Sequence, residues 1–208
     1  MFRATAGRIF HPIDSAKQQH HRHLYANYPA LVPPSFVRLR GGQTFQLRLS
    51  REENADTVQA FVKAMPTADQ RMRFFQAAPN GLEPVVMRPF SHPSPSRFAM
   101  LALNREGRLA GAVSFGIEPS SATADIGIMV GQDFKRQGLA RELLTFAIKL
   151  LHAKAIEKIV VDIAPQNHAM LALLRSFGGR QAFVPDEQQF KVTITIEDAM
   201  RTLEQSIR

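Results

Sequence analysis

The sequence predicts an α+β fold built on one mixed β-sheet flanked by helices. Three observations predict it. Residues 97–130 read as three short strands joined by tight turns, the pattern of an antiparallel meander. Residues 137–164 then read as a helix followed by a continuous apolar strand, which makes a crossover to a parallel neighbour. Hydrophobic residues form 45% of the 208-residue chain, enough for a core and too many for disorder.

The elements follow in order. Pro29, Pro33, Pro34 and Gly41-Gly42 punctuate the start, so a domain is expected at 44–208, preceded by an arm at 1–43. TFQLRLS (44–50) alternates like a strand, and Ser50 with Glu53 reads as a capping box for a helix carrying Val58, Phe61, Val62 and Met65. A second short helix, TADQRMRFFQAA, begins after Pro66, whereas the proline-rich NGLEPVVMRPFSHPSPS reads as an irregular loop. FAMLAL, the turn NREG and RLAGAVSFGI form a hairpin, and ATADIGIMV a third strand. A helix over 137–153 shows Leu139, Leu143, Phe146, Ala147, Leu150 and Leu151 on one stripe. IEKIVVDIA (156–164) suits a buried parallel strand, and NHAMLALLRSF a helix that Gly178-Gly179 ends. Strands near 180–184 and 190–196 and a helix from Glu197 complete the chain.

Composition narrows the classes of function. With no cysteine there is no disulfide framework, thiolate zinc site or cysteine nucleophile. No apolar run approaches the ~20 residues that span a bilayer, and MFRATAGRIFHPID has no continuous apolar core of a signal peptide. A cytoplasmic location is the expectation. The net charge is +8, and residues 1–43 hold six basic side chains against one acid, Asp14. That arm also carries His11, His20, His21 and His23, so it reads either as an anion-seeking tail or as a plain solvated extension. No metal site is expected, because HHRH lacks companion ligands. Nucleic acid is not an expected partner: the support is charge alone, without aromatic interleaving or a binding motif.

The chemistry points to one corner. DFKRQGLARELL (133–144) lies where the strand over 122–130 hands over to the helix over 137–153. The first turn of a helix has unpaired N–H groups and the positive end of the dipole. Gly138 and Ala140 let a ligand approach that backbone, and Lys135 and Arg136 add charge. Phosphate or pyrophosphate fits there. The phosphate-loop pattern GxxxxGKS/T and the dinucleotide pattern GxGxxG are both absent.

Lys135-Arg136-Gln137-Gly138-Leu139-Ala140, after Ile128-Met129-Val130, resembles the pyrophosphate loop of the GNAT superfamily of N-acetyltransferases, Gln/Arg-x-x-Gly-x-Gly/Ala. Lys135 departs from the usual Gln or Arg. NHAMLALLRSFG resembles the family's second coenzyme segment, which begins at Asn167. RMRFF, the hairpin, TADIGIMV and QGLARELL resemble bacterial Pat-like protein-lysine acetyltransferase domains.

The resemblance implies a splayed sheet, often with a bulge, and acetyl-CoA as co-substrate. Ile128, Met129 and Val130 would pair with the pantetheine arm, and Lys135, Arg136, Gln137, Gly138, Leu139, Ala140 and Asn167 would hold the rest. It also implies an amine acceptor, a protein lysine or a small molecule, and admits a homodimer. Asp125 matches the family's glutamate base, one methylene shorter, and would work through a water; otherwise it is a strand-end carboxylate that caps or pairs. Glu118 and Glu142 are less well placed. The family's tyrosine acid falls at Leu174, and the only tyrosines are Tyr25 and Tyr28. Hence a second expectation stands beside the enzyme: a catalytically weak acyl-CoA sensor.

Overall fold

The computed structural model describes residues 35–78 and 80–205. The readings made on residues 1–34, including the histidine-rich part of the arm, lie outside them. One eight-stranded sheet runs through the molecule in the order β1-β2-β3-β4-β5-β6-β8-β7. Its strands are β1 (Ser35–Arg38), β2 (Thr44–Leu49), β3 (Arg97–Leu103), β4 (Leu109–Glu118), β5 (Thr123–Val130), β6 (Lys158–Ile163), β7 (Arg180–Val184) and β8 (Gln189–Thr195). Every neighbouring pair is antiparallel except β5–β6. The helices are α1 (Ala55–Ala64), α2 (Thr67–Phe74), α3 (Pro84–Ser91), α4 (Leu139–Ala153), α5 (His168–Arg175) and α6 (Ile196–Gln205).

The central strands are apolar on both faces because both are covered. In β3, Phe98, Met100 and Ala102 enter a core shared with α4, α5 and α6. Ala99, Leu101 and Leu103 alternate into a second core with α1 and α3. Strand periodicity of two divides the chain between these layers. The sequence therefore shows near-continuous apolar runs where one-sided sheets would alternate.

Three local expectations are corrected. The segment assigned to the arm contains β1, which pairs with β2 from Ser35↔Leu47 to Arg38↔Thr44. The Gly41-Gly42 pair that reads as a boundary is the turn of this hairpin, with Gly42 at φ 85°. The proline-rich loop contains α3. Pro84 sits in its first turn, where a missing N–H costs nothing, and Met87 and Phe90 are buried against the sheet. Packing outweighs the interior Pro89 in so short a helix.

Ser50 is not a helix cap either. Its buried hydroxyl donates to the Phe90 carbonyl at 2.6 Å, satisfying an end-of-helix acceptor on α3. Asn54 instead accepts from the Arg51 N–H at 3.1 Å, ahead of α1.

Candidate active site

The site begins as a fork in the sheet. β5 is zipped to β4 in continuous register from Glu118↔Thr123 to Gly111↔Val130. Its parallel pairing with β6 is confined to Thr123↔Lys158 and Ala124↔Ile159. Beyond that point the strands diverge, so the β6-facing edge of β5 has backbone groups without a strand partner. The splay arises without a bulge between β4 and β5, which corrects that part of the expectation. A cleft of about 480 Å³ fills the fork, walled by Ile126–Val130, Val161–Ile163 and the starts of α4 and α5. Strands of this kind offer an extended ligand main-chain hydrogen bonds.

The corner closes one end of the cleft. A 3₁₀ turn, Gln132–Phe134, leads into Lys135 and then Arg136 at φ 60°. Gly138 follows at φ 93°, and a Cβ placed on it would meet nothing within 4 Å. Glycine is favoured here for its backbone conformation, and it leaves open space beside it. No side chain caps α4, whose first internal bond at its start runs from Glu142 N–H to the Gly138 carbonyl, 3.1 Å. The N–H groups of the first turn are thus unspent, at the positive end of a 15-residue helix. Buried Leu139 anchors the turn from below. These residues fit a diphosphate.

The predicted cofactor residues divide. Ile128, Met129, Val130, Lys135, Arg136, Gly138, Leu139, Ala140 and Asn167 all line the cleft. Asn167 also caps α5, its Oδ1 accepting from Met170 N–H at 3.2 Å. Gln137 does not line it. Its side chain is exposed and donates to the Asp133 carbonyl at 2.7 Å. Lys135 reaches the cleft, but its ammonium is held by Asp69 of α2 at 2.5 Å.

The second face of β5 carries the polar groups. Asp125 and Gly127 project toward the α1–α3 layer, whereas Ile126 and Ile128 join the opposite core. Asp125 stands at the margin of the cleft rather than in its wall. It keeps solvent contact, yet the surrounding protein displaces enough water to push its carboxyl up to about 6. Arg73 opposes that rise, and Asp162 of β6 adds to it. Burial likewise raises Asp162, which lines the cleft. Arg73 lies across Gly127, where a Cβ would come within 1.6 Å of its Nη2. That nitrogen donates to Ser114 Oγ at 2.9 Å.

Leu174 lines the cleft as a buried apolar residue. No tyrosine occurs among the described residues, and Tyr25 and Tyr28 fall outside them. Glu118 is spent at a strand end, where it accepts from Ser120 Oγ at 2.7 Å. Sequence reasoning missed Asp69, Arg73 and Asp162 as site residues. RMRFF was the one visible signal for Arg73.

A forked sheet whose opening ends on an uncapped, glycine-shaped helix start has a geometry suited to an extended, phosphorylated ligand. Residues 60–178 match the description "Acetyltransferase (GNAT) family", and the chain belongs to that family of N-acetyltransferases. Its fold is similar to that of the GNAT domain of S. lividans PAT, with TM-score 0.71 and 19% identity over 78% of this chain and 96% of that one. A spermidine N-acetyltransferase chimera from Vibrio cholerae and hSSAT gives 0.60 and 15%, over 75% and 98%. A cAMP-binding acyltransferase from Mycobacterium smegmatis gives 0.55 and 14%, over 94% of this chain and 62% of that one. No curated protein matches the chain in sequence. From Arg97 to Gln205 the elements come in the order read from the sequence. Among the described residues no helix is long and apolar enough to cross a membrane.

Proposed function

We propose that the chain transfers an acetyl group from acetyl-CoA to a primary amine, on a protein lysine or a small molecule, by direct attack in a ternary complex. The observation that carries this reading is the fork itself, which leaves one edge of β5 unpaired and leads to the uncapped start of α4. Bound acetyl-CoA would supply an activated acetyl carbonyl with a thiolate leaving group.

The chain's residues then have distinct tasks. The backbone groups of Ile128 and Val130, on the edge away from β4, pair with the pantetheine arm, and Met129 between them keeps its own backbone bonds to β4. The amides from Gly138 to Ala140, with Lys135 and Arg136, hold the diphosphate, and Asn167 borders the arm on the other wall. An N–H of Ile128 or Val130 donates to the carbonyl oxygen as charge develops there. A lysine-like amine of pKa near 10.4 is less than ~0.1% neutral at pH 7. Asp125, through a water, takes the proton that the amine must lose, and its raised pKa brings it closer to that task. The nitrogen–carbon bond forms as the carbon–sulfur bond breaks, and the thiolate leaves to solvent, since a thiol of pKa about 8.5 needs little help. We place the activity in the cytoplasm.

A second reading is supported by Leu174, which puts a buried apolar side chain where the family's acid would stand. On that reading the chain senses acyl-CoA without turning it over. Coenzyme A release with a panel of amines and lysine peptides, run beside calorimetry, separates the two. Amine-dependent release establishes the transferase. Tight binding with no release for any amine establishes the sensor.

A further inference from the structure

Arg73 is left unexplained by the transfer chemistry. It projects from α2 onto the middle of β5, on the face that carries Asp125, and it lines the cleft. Among the described residues its one hydrogen bond is that from Nη2 to Ser114 Oγ, it makes no ion pair, and its guanidinium lies over the Phe74 ring at 5.0 Å, a contact that uses the face of the group and none of its N–H donors. Its Nε is shut off from water with no partner. A guanidinium has five N–H donors in a planar fork that matches a carboxylate. Holding one in a recess with Nε shut off from water and unpaired is costly unless something else completes it. Gly127 supports the same conclusion, since any side chain there would displace the guanidinium from the strand.

The surroundings are of opposite sign. Parallel pairing of Thr123 with Lys158 puts Asp162 on the same face as Asp125, across the fork from β5. Arg73 and Asp162 both line the cleft and both act on the Asp125 charge, so two acids and one arginine face the same opening. Asp125 and Gly127 are two residues apart on a strand, ~6.6 Å along its axis. A compact zwitterion spans that separation, its amine toward the acids and its carboxylate toward Arg73. A bare lysine side chain brings only the cation and leaves the guanidinium unpaired.

We propose that the acceptor bears a carboxylate close to its reacting amine, as a free amino acid does, and that Arg73 binds that carboxylate. The proposal rests on the transferase reading above and narrows its substrate class. The test offers the amino acids with acetyl-CoA, each as the free acid and as its carboxamide. For the acceptors that react, kcat/KM for the acid exceeds that for the amide by at least ~10-fold, because the amide brings no anion to the half-buried cation. Arg73→Gln brings the ratio close to one, with coenzyme A affinity and melting temperature as controls for folding. Gly127→Ala does the same while retaining the guanidinium, by displacing it.

Equal rates for acids and amides overturn the proposal, as does a ratio that survives both substitutions. So does a variant that moves the pH profile of the rate while leaving the ratio intact, for Arg73 then acts only through Asp125. An Arg73-dependent preference for succinyl-CoA over acetyl-CoA also overturns it, by placing the carboxylate on the donor. If no amine reacts, the same acids and amides are titrated into protein saturated with coenzyme A. Arg73-dependent binding of the acids then upholds the carboxylate site while the transferase reading fails; absence of such binding overturns the site as well.

Discussion

Lys135 of the helix-start corner and Asp69 of α2 form an ion pair, Nζ to Oδ2 2.5 Å, that ties the corner to the helix carrying Arg73. Asp69 and Arg73 are four residues apart and so share one face of α2. One helix thus touches both the anion-facing end of the cleft and the face of β5 beside Asp125. The pair is partly exposed, with side chains at 34% and 20%, so its own contribution to stability is small.

Its effect on ligand affinity is the more informative quantity. Asp69→Asn frees the Lys135 ammonium for a diphosphate, and coenzyme A should bind ~2–5-fold more tightly at low salt. The gain should shrink as salt rises, as screening of an exposed charge requires. Calorimetry at two ionic strengths checks it, and weaker binding in the variant would remove Lys135 from the diphosphate site.

Gly138 combines a positive φ with open space on the cleft side. Gly138→Ala should cost about 1–2 kcal/mol of stability from the left-handed backbone and reduce coenzyme affinity modestly. Gly138→Glu should abolish binding, because it adds a carboxylate to a cradle for anions. Both proteins should fold, since Leu139, Leu143 and Leu151 still fill the core. Thermal melts and calorimetry distinguish the two effects; full affinity in folded Gly138→Glu is the contrary result.

Asp125 should trade stability for activity. Its carboxyl titrates near 6 in the folded chain against an ordinary 3.8. The folded state therefore holds this proton more tightly than the unfolded state, and the group favours folding increasingly as pH falls from 6 to 3.8. Above pH 6 the ionised form opposes folding. Asp125→Asn should accordingly melt higher than wild type at pH 7.5, with the difference closing near pH 4. Turnover should fall ~10²–10⁴-fold, the scale of a lost general base, and recover partly at high pH, where more amine is neutral. Unchanged turnover at pH 7.5 would leave Asp125 a bystander.

Gln70 tests how α2 is held. It is buried, donates to the Val62 and Met65 carbonyls at 3.0 and 3.1 Å, and accepts from Ala78 N–H at 2.8 Å. Gln70→Leu removes those partners from buried backbone groups and should cost about 1–3 kcal/mol. Coenzyme affinity should change less than amine turnover, because Arg73 rides on the helix that loosens. Denaturant melts and steady-state kinetics on one preparation measure both.

Leu174→Tyr adds a phenol to a closed site, where Leu174 is 1% exposed. Overpacking should cost about 1–3 kcal/mol. With a thiolate that departs unaided, the rate at neutral pH should not rise. A rise would mean that an acid is limiting, and would favour the sensor reading for the natural chain.

Much of this was readable beforehand where local chemistry is decisive. The meander, the crossover and the α4 corner follow from apolar runs and from glycine, all properties of neighbours in sequence. α3 was not readable, because its prolines argue against a helix and only burial of Met87 and Phe90 outweighs them. β1 was not readable, because Gly41-Gly42 serves a hairpin and a linker equally well. Ser50 reads as a cap from its neighbours because its actual partner, the Phe90 carbonyl, lies forty residues away. The site divides in the same manner. Lys135 to Ala140 form one contiguous motif, whereas Asp69, Arg73 and Asp162 converge from α2 and β6 only after the sheet is assembled.

The fork also bears on how the chain avoids its own kind. An open strand edge invites another sheet to dock along it, and the outer edges of this sheet, β1 and β7, face that hazard directly. The unpaired edges between β5 and β6 are different, because they face each other across a wedge shut at Thr123 and Lys158. A folded neighbour would need to insert a lone strand into that wedge. A thin, flexible chain can thread it. The same divergence that exposes a row of backbone groups thus admits slender ligands and turns away the broad partners from which aggregates grow.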